Sequence, residues 1–389
     1  MRGMLLVRSR ALAVCACAAL AAGVAGCTTS TSTTSVASGT LKVYVSKPSG
    51  PLSAEEQEVL SAEQLALRQS GPHVGKFTVK LVEASGNELS DNARAAIADP
   101  ETIAYLGELG PGTSGQTLGI TNGQDILQVS PTDTAVELTQ ASPAVPGSPG
   151  NFYESLSANG RTFARVVPNT KLEAQALLGE AQALGVKNLY VPTDGSQYGL
   201  ALRSLVVSDA TSHGITIAST STGAGGVLYA GNSTTAGAGA LNRAAAPRVK
   251  LFAPSALAQE SFVTALSSTA QREAYFSSPG FTASDLPSLG SQFEAAFKAA
   301  YGHVPATQAV FGYEAVEALL SVLHTAGSSA GNRGTVIRDF FAIHNRSSAI
   351  GTYSMTKDGD ISFSGGAPFV ISRAVAGRLA PLRTVSEQG

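Results

Sequence analysis

After residue 40 the chain alternates between short β-prone runs and helical segments, and this alternation is what most limits its possible folds. The first run covers 41–45, and the pattern Ser53-Ala54-Glu55-Glu56 that follows is typical of a capping box at the start of a helix. Strands and helices in this order favour parallel sheets with helices on both faces. The same order recurs along the chain, with further strands predicted over 77–82, 102–106, 126–129, 188–191, 215–219, 227–230 and 249–253.

Helical segments follow most of these strands and dominate the last third of the chain. Thr170-Lys171-Leu172-Glu173 has the pattern of a second capping box. A helix is predicted near 256–270, and the segment from about 291 to 343 is predicted to be helical. A hairpin over 352–363, turned by Asp358-Gly359, is predicted to follow.

The N-terminal residues 1–26 have the features of a secretion signal. Arg2, Arg8 and Arg10 form a positive region, an apolar stretch follows over 11–22, and small residues precede Cys27. Val24-Ala25-Gly26-Cys27 resembles a bacterial lipobox, which implies lipidation of Cys27 and anchoring to the outer face of the cell membrane. The alternative is an ordinary cleaved signal with an incidental cysteine. Residues 27–40 are rich in Thr and Ser, which predicts a flexible tether.

Cysteine and histidine usage limits the chemistry of the folded part. All three cysteines lie at positions 15, 17 and 27, so the segment after the tether has no thiol. Disulfides, a cysteine nucleophile and a Cys-ligated zinc site are therefore excluded there. The five histidines show no metal-ligand spacing, and no HExxH, GxSxG or P-loop pattern occurs. We predict no catalytic residue, no metal site and no cofactor.

Length and charge narrow the class of protein further. Roughly 350 residues of the 389 remain after the signal and tether, which predicts two α/β lobes instead of one. Lys and Arg number 26 against 28 Asp and Glu, and 26 less the three signal arginines gives 23 against 28. This acidic balance, without a basic stripe, makes nucleic acid an unsuitable partner.

A glycine-rich loop, Gly110-Pro111-Gly112-Thr113-Ser114-Gly115, follows the third predicted strand. It matches the GxGxxG dinucleotide pattern, but it does not follow the first strand, and Pro111 removes an amide donor. Glycines and hydroxyl residues at a helix start expose N–H groups that suit a carboxylate as well as a phosphate. Three alternatives remain open here: a carboxylate site, a tight turn without ligand, and a dinucleotide site.

Two further loops follow predicted strands and carry polar side chains. Ser130-Pro131-Thr132-Asp133-Thr134 offers hydroxyls and one carboxylate, which suits ligand contact but also suits an N-cap cluster for a helix over 135–139. Asp194 to Gly199 has the same topological place in the second series. Its Tyr198 has a ring that could cover a small ligand, or that could instead pack on its own lobe.

The segment 103–138, with 165–168, 194–199 and 229–232, resembles the type I periplasmic-binding proteins of the Leu/Ile/Val-binding kind, which are substrate receptors of ABC importers. The resemblance covers essentially all of 41–380. It implies two doubly wound parallel-sheet lobes joined by a three-segment hinge. The lobes would comprise 41–159 plus 279–351 and 160–278 plus 352–389.

The resemblance also implies roles for individual residues. Family members hold the ligand α-carboxylate with a Ser-rich turn and a threonine, and they close a tyrosine over the ligand from the second lobe. The implied ligand-binding residues of this chain are Thr113, Ser114, Ser130, Thr132, Asp133, Thr134, Tyr198 and Asn232.

Two departures from the family pattern bear on the ligand. The family often has a Gly-Pro-Glu turn whose acid meets a ligand ammonium, and here the turn reads Ala253-Pro254-Ser255. Asp133 stands where the family often has a small apolar residue. Either Asp133 supplies the missing negative charge, or the ligand is not an amino acid.

These observations predict an extracytoplasmic solute-binding lipoprotein that is not an enzyme. It would capture an amino acid or a similar small polar ligand for an ABC importer. Its partners would be that ligand, the permease and, through the N-terminal lipid, the membrane. Alternatives are a cell-surface sensor of the same fold and a dinucleotide-dependent enzyme.

Overall fold

The computed structural model describes residues 34–48, 50 and 52–387. The predicted signal over 1–26 and the predicted lipidation site Cys27 lie outside the described residues.

The described chain follows the predicted alternation of strands and helices. In chain order the strands are β1 (Thr40–Ser46), β2 (His73–Val74), β3 (Phe77–Ala84), β4 (Thr102–Leu106), β5 (Leu127–Ser130), β6 (Phe163–Arg165), β7 (Asn188–Tyr190), β8 (Thr216–Ala218), β9 (Gly226–Leu228), β10 (Lys250–Ala253), β11 (Ala274–Pro279), β12 (Arg346–Ser348), β13 (Gly351–Met355), β14 (Ile361–Phe363), β15 (Ala367–Val375) and β16 (Arg378–Glu387). The α-helices are α1 (Ala54–Ser70), α2 (Leu89–Ala98), α3 (Leu118–Asn122), α4 (Leu156–Asn159), α5 (Thr170–Ala183), α6 (Gln197–Asp209), α7 (Thr234–Ala244), α8 (Glu260–Ala265), α9 (Ser268–Glu273), α10 (Ser288–Tyr301), α11 (Ala309–Ala326) and α12 (Arg333–Phe341).

Two large sheets form the centres of two lobes, which confirms the predicted fold class. The first sheet has the order β2-β3-β1-β4-β5-β6, and every pair in it is parallel except β2 with β3. The second has the order β16-β15-β11-β10-β9-β7-β8 and is parallel from β11 to β8. Its β15 and β16 add an antiparallel edge. A small third sheet, β12-β13-β14, contains the predicted hairpin.

The first lobe packs helices α1 and α11 on its sheet. Alternate residues of β1, which are Leu41, Val43 and Val45, point into this core and are at most 2% exposed. Helix α11 is apolar on most of its circumference, because it is covered on several sides by α1, α10 and α12. The Ser53 capping box at the start of α1 is present as predicted.

An apolar cluster also joins the two lobes. Leu118, Leu138 and Phe163 come from the first lobe and pack in one cluster with Leu177 and Leu202 of helices α5 and α6. All five side chains are fully buried. Burial of apolar area between the lobes stabilises their contact.

Within the described residues the chain passes between the two sheets three times. β6 still pairs with β5, whereas α5 packs on β11 and β15 of the second sheet. After β11 ends at Pro279, α10 packs on α11 of the first lobe. Tyr353, Met355 and Ile361 lie in the first core, and β15 pairs in the second sheet. We therefore propose that the passages lie over 166–169, 280–287 and 364–366; the boundaries expected from the sequence, at 160, 279 and 352, each lie earlier in the chain.

Residues 34–40, expected as the end of the flexible tether, are instead held on the first lobe. Ser35 pairs with Asn332 in a β-bridge, and the Val36 N–H donates to the carbonyl of Gly331 at 2.8 Å. The Val36 side chain is 6% exposed and belongs to the first core. One apolar residue in a Thr- and Ser-rich run is enough to attach this segment, because it finds a core position.

Three local predictions differ from the structure. The capping box predicted at Thr170–Glu173 is absent, since Asn169 is the N-cap of α5 and Glu173 turns into the second lobe. The single helix predicted near 256–270 is a 3-10 turn followed by α8 and α9. The segment 291–343 forms three helices, α10, α11 and α12, separated by turns.

A buried ion pair fixes the end of β6. The Arg165 Nε and the Asp360 Oδ1 are 2.9 Å apart, with side chains 0% and 6% exposed. Thr139 Oγ1 and Gln140 Nε2 also donate to the Asp360 carboxylate. Removing one partner would leave a buried charge without compensation, which is far more costly than the loss of a surface pair.

We expect Asp360→Ala to lower the free energy of unfolding by about 3–5 kcal/mol, because the buried Arg165 would lose its ion-pair partner. Urea denaturation followed by circular dichroism measures this change.

Asp358→Ala is the matched control in the same hairpin. Asp358 pairs with Arg161 at 3.2 Å, but both side chains are partly exposed. Its loss should cost less than about 1 kcal/mol. Equal costs for the two substitutions would contradict the importance of the buried pair.

Candidate ligand-binding site

A cavity of about 100 Å³ lies between the lobes at the carboxyl ends of their parallel strands. The loops after β4 and β5 contribute from the first lobe, the loop after β10 contributes from the second, and the start of α1 closes one side. Such strand ends are where open α/β sheets bind ligands. The lining residues are Ser53, Glu55, Glu56, Val59, Leu109, Gly110, Pro111, Thr132, Ser255, Ala256, Ala258, Gln259 and Gln308.

Acidic side chains supply the charge of this cavity. The Glu56 carboxylate accepts from the N–H and the hydroxyl of Ser53, so it is engaged in the capping box. Glu55 makes no hydrogen bond to another described residue. Burial, and then the neighbouring carboxylates of Glu58, Glu56 and Glu260, raise the pKa of Glu55 to about 7. In the sequence, Glu55 and Glu56 indicate only the start of a helix.

The centre of the first-lobe cleft is the carboxylate of Asp133, which is fully buried. Its Oδ1 accepts from the backbone N–H groups of Gly112 at 2.7 Å and Ala135 at 3.0 Å, and its Oδ2 accepts from that of Ser114 at 2.8 Å. Gly112 has a φ of 83°, a left-handed conformation that favours glycine and turns its N–H towards the carboxylate. The glycine-rich loop therefore binds a carboxylate, but one that belongs to the protein.

Hydroxyls and a guanidinium hold the loop that carries Asp133. Ser130 Oγ donates to the Glu108 carbonyl at 2.7 Å and accepts from the Asp133 N–H at 2.8 Å. The Arg165 guanidinium donates to the carbonyls of Asp133 at 2.6 Å and Ala135 at 2.7 Å. Burial raises the pKa of Asp133, and the nearby Arg165 charge and the three amide donors oppose that rise.

The predicted first-lobe residues lie together, but they face different partners. Thr113 Oγ1 donates to the carbonyls of Leu109 and Gly110. Ser114 is buried, and its hydroxyl accepts from the Glu108 N–H. Thr134 is buried against Thr170, and its carbonyl accepts from the Thr170 N–H and hydroxyl. Of the eight predicted ligand-binding residues, Thr132 is the one that lines the cavity; its Oγ1 accepts from the Gly110 N–H at 3.2 Å.

Tyr198 lies at the contact between the lobes. It is 1% exposed, and a Cβ placed on Gly112 would lie 3.5 Å from the Tyr198 Cβ. The Tyr198 hydroxyl donates to Glu173 at 3.2 Å. The same carboxylate accepts from the Ser255 N–H at 2.5 Å and the Ser277 hydroxyl at 2.7 Å. Glu173, which sequence reasoning did not select, therefore ties the cavity loop at Ser255 to the tyrosine.

Asn232 is exposed and does not line the cavity. Its N–H and that of Ser233 both donate to Asp194 Oδ2 at 2.9 Å. Hydrogen bonds from Ser196 and from these amides lower the pKa of Asp194 despite partial burial. The second-lobe loops are thus joined by an aspartate, as the first-lobe loops are.

The geometry of the glycine-rich loop argues against a dinucleotide. The amides of Gly112 and Ser114, which would meet a pyrophosphate, already bind Asp133. A second anion at the same position would meet like charge. The described residues also contain no group of three or more His, Cys, Asp or Glu side chains placed to hold a metal ion.

Two more acids are buried beside this loop. Ser46 and Tyr105 each donate to the Glu108 carboxylate at 2.5 Å. Burial nevertheless raises the pKa of Glu108 to about 7, and burial likewise raises the pKa of Glu137 to about 7. Both side chains are at most 1% exposed, so their ionisation is costly.

The chain matches no protein-family model and no curated protein. Solved structures do match it. A leucine-binding protein, LivK, from Thermotoga maritima is 19% identical with a TM-score of 0.73, over 89% of this chain and 99% of that one. An ABC transporter substrate-binding protein from Desulfitobacterium hafniense in complex with Leu is 19% identical with a TM-score of 0.67, over 88% and 100%.

A solute-binding protein from R. palustris in complex with benzoate is 16% identical, with a TM-score of 0.65 over 90% of this chain and 97% of that one. These similarities confirm that the chain has the type I periplasmic-binding protein fold. No helix within the described residues combines the length and the apolarity needed to cross a bilayer.

Glu108→Gln should alter the dependence of stability on pH. The pKa of Glu108 is raised in the folded state, so the folded protein holds a proton that the unfolded chain releases near pH 4.5. Stability contributed by this proton is lost as pH rises towards about 7. Urea denaturation at pH 5 and pH 8 measures how much the free energy of unfolding falls between these two pH values. We expect this fall to be smaller in Glu108→Gln than in the wild type, by up to about 3 kcal/mol.

The exposed Glu154 is the control position. Glu154→Gln should leave the wild-type pH profile unchanged. A Glu108→Gln profile parallel to that of the wild type would show that Glu108 does not carry the buried proton.

Proposed function

We propose that this protein is an extracytoplasmic solute-binding protein that holds a small polar molecule between its two lobes. The observation that carries the proposal is the cavity lined from both lobes at the carboxyl ends of both parallel sheets. A molecule there would contact Thr132 on the first lobe and Ser255, Ala256, Ala258 and Gln259 on the second. Binding would therefore depend on the relative position of the lobes.

The similar structures support a solute-binding role. Solved structures similar to this chain include complexes with leucine, isoleucine, benzoate and 3,4-dihydroxybenzoic acid. All four are small organic molecules with a carboxylate, and two are amino acids. Amino acids and their analogues are therefore the first ligand class that we propose to test, with an ABC permease as the partner that receives the ligand.

Lobe closure would couple binding to recognition by a permease. A ligand shifts an equilibrium between open and closed lobes only by its difference in affinity for the two states. Tyr198 packs with Leu118 and Leu138 of the first lobe in the apolar cluster that joins the lobes. Closure excludes water from the cavity, so each ligand hydrogen bond gains strength. A few such bonds suffice for micromolar affinity, which corresponds to about −8 kcal/mol.

We also propose that the protein binds its solute without changing it, and that lipidated Cys27 retains it at the outer face of the membrane. Binding without chemical change is supported by the hydrogen bonds that the polar groups of the cleft make. Ser114, Ser130, Tyr198 and Glu173 all make hydrogen bonds that fix loops. Groups held in this way position backbone and are poorly suited to activate a nucleophile.

Ala256→Leu should block the cavity, because Ala256 lines it from the second lobe and is partly exposed. A thermal-shift screen of amino acids, amides, short peptides and aromatic acids first identifies a compound that raises the Tm of the wild type. Calorimetry should then show at least about tenfold weaker binding of that compound to the variant, equivalent to about 1.4 kcal/mol.

Ala236→Leu is the matched control, on an exposed position of α7 outside the cavity. It should bind the compound as tightly as the wild type. Unchanged affinity of Ala256→Leu, with the Tm of the unliganded variant preserved, would contradict the cavity as the binding site.

A further inference from the structure

Backbone N–H groups at the first-lobe cleft form an anion site, and the Asp133 carboxylate of the chain itself occupies it. Backbone N–H groups that converge at a glycine-rich turn form a concave site for a carboxylate or phosphate. Here the converging donors are Gly112, Ser114 and Ala135, at 2.7, 2.8 and 3.0 Å from the Asp133 carboxylate oxygens. A solute carboxylate bound at this turn, next to the cavity-lining residues Gly110, Pro111 and Thr132, would need these same donors. It would have to displace a carboxylate that is part of the chain.

Asp133 is not free to leave this site. Its side chain is fully buried, and its own N–H is held by Ser130 Oγ. Its carbonyl is held by the buried Arg165 guanidinium, which also binds the next turn at Ala135. The backbone on both sides of the carboxylate is therefore fixed, and the carboxylate cannot leave the amide site without breaking these hydrogen bonds.

In the second lobe, too, an aspartate of the chain accepts from converging backbone N–H groups. Asp194 Oδ2 accepts from the N–H groups of Asn232 and Ser233 just before α7, and its Oδ1 accepts from Ser196. A Cβ on Gly231 would clash with this carboxylate, so the close approach requires a residue without a side chain. In both lobes, amides at the carboxyl ends of the strands are satisfied by an aspartate of the chain.

The remaining cavity is lined by two acidic side chains. Glu55 and Glu56 are the charged residues among its described lining, and Glu56 is engaged by Ser53. Glu55 has no hydrogen-bond partner among the described residues. A solute group that fits beside it is a hydrogen-bond donor, and a cationic amine compensates the charge best.

Building on the proposed solute-binding function, we propose that Asp133 is a specificity-determining residue. Its carboxylate takes the place of a solute carboxylate in the amide site, so that the cleft selects small amines without a carboxylate over amino acids. The amine then lies in the cavity beside Glu55. This assigns to the chain a solute class different from the carboxylates named for the similar structures.

The first test is refilling of the amide site by a small anion. Asp133→Ala removes the carboxylate, and formate supplies the missing atoms. The Tm of Asp133→Ala should rise by about 2–4 °C in sodium formate relative to sodium chloride at equal ionic strength. The wild type should show no such difference, because its site is already occupied.

Leu177→Ala is the control for a general effect of formate, since it removes a fully buried side chain of α5 without touching an amide site. It should respond equally to both salts. If Asp133→Ala does not accumulate as folded protein, refolding from urea in each salt gives the same readout. Absence of any preference for formate, in Tm or in refolding, would overturn the proposal.

The second test compares matched solutes by calorimetry on the wild type. L-Alanine and L-leucine are compared with their amino alcohols, which keep the amine and side chain but lack the carboxylate. The amino alcohols should bind at least about tenfold more tightly. Glu55→Gln should weaken that binding, whereas the exposed Glu88→Gln should not. Tighter binding of the amino acids would overturn the proposal and leave the solute-binding function intact.

Failure of the function itself gives a different pattern. In that case no solute binds the wild type, while Asp133→Ala is still stabilised by formate. That result would support the built-in carboxylate and overturn the binding role.

Discussion

Three backbone N–H groups converge on the buried carboxylate of Asp133, and the shape of the first-lobe cleft depends on that contact. It joins the turn after β4 to the loop after β5, two segments that would otherwise diverge from neighbouring strands. Arg165, at the end of β6, binds the same loop from the opposite side. Asp360 in turn neutralises Arg165, so charges of alternating sign run from the cleft to the third sheet.

The cleft is therefore organised by electrostatic interactions among buried side chains. Glu108, Glu137 and Glu173 are buried near the same loops, and burial raises the pKa of each. Such groups are costly unless they are hydrogen-bonded or protonated. Hydroxyls of Ser46, Tyr105, Ser277 and other residues meet this requirement for two of them. A site of this kind is rigid, because any movement of a loop breaks several bonds to buried charge at once.

Much of the fold could be predicted from the sequence, because strand and helix alternation, the Ser53 capping box and the loop positions are local patterns. The partners of the polar residues could not. Asp133 was selected, but its bonds to the amide of Gly112 depend on how two loops meet in space. Glu173 resembled a cap because its spacing from Thr170 fits that pattern, whereas tertiary packing turns it towards Ser255. The attachment of Val36 likewise depends on a gap in a distant core.

The two large sheets end in strands that are poor templates for another chain. β2, β6 and β8, which form three of the four sheet edges, span only two or three residues. The fourth edge, β16, is long, but it carries Arg378, Arg383 and Pro381, and its register with β15 is irregular near Pro381. Charge, proline and irregular pairing all oppose strand addition. Copies of this protein crowded together at high concentration would therefore collide without joining sheet to sheet.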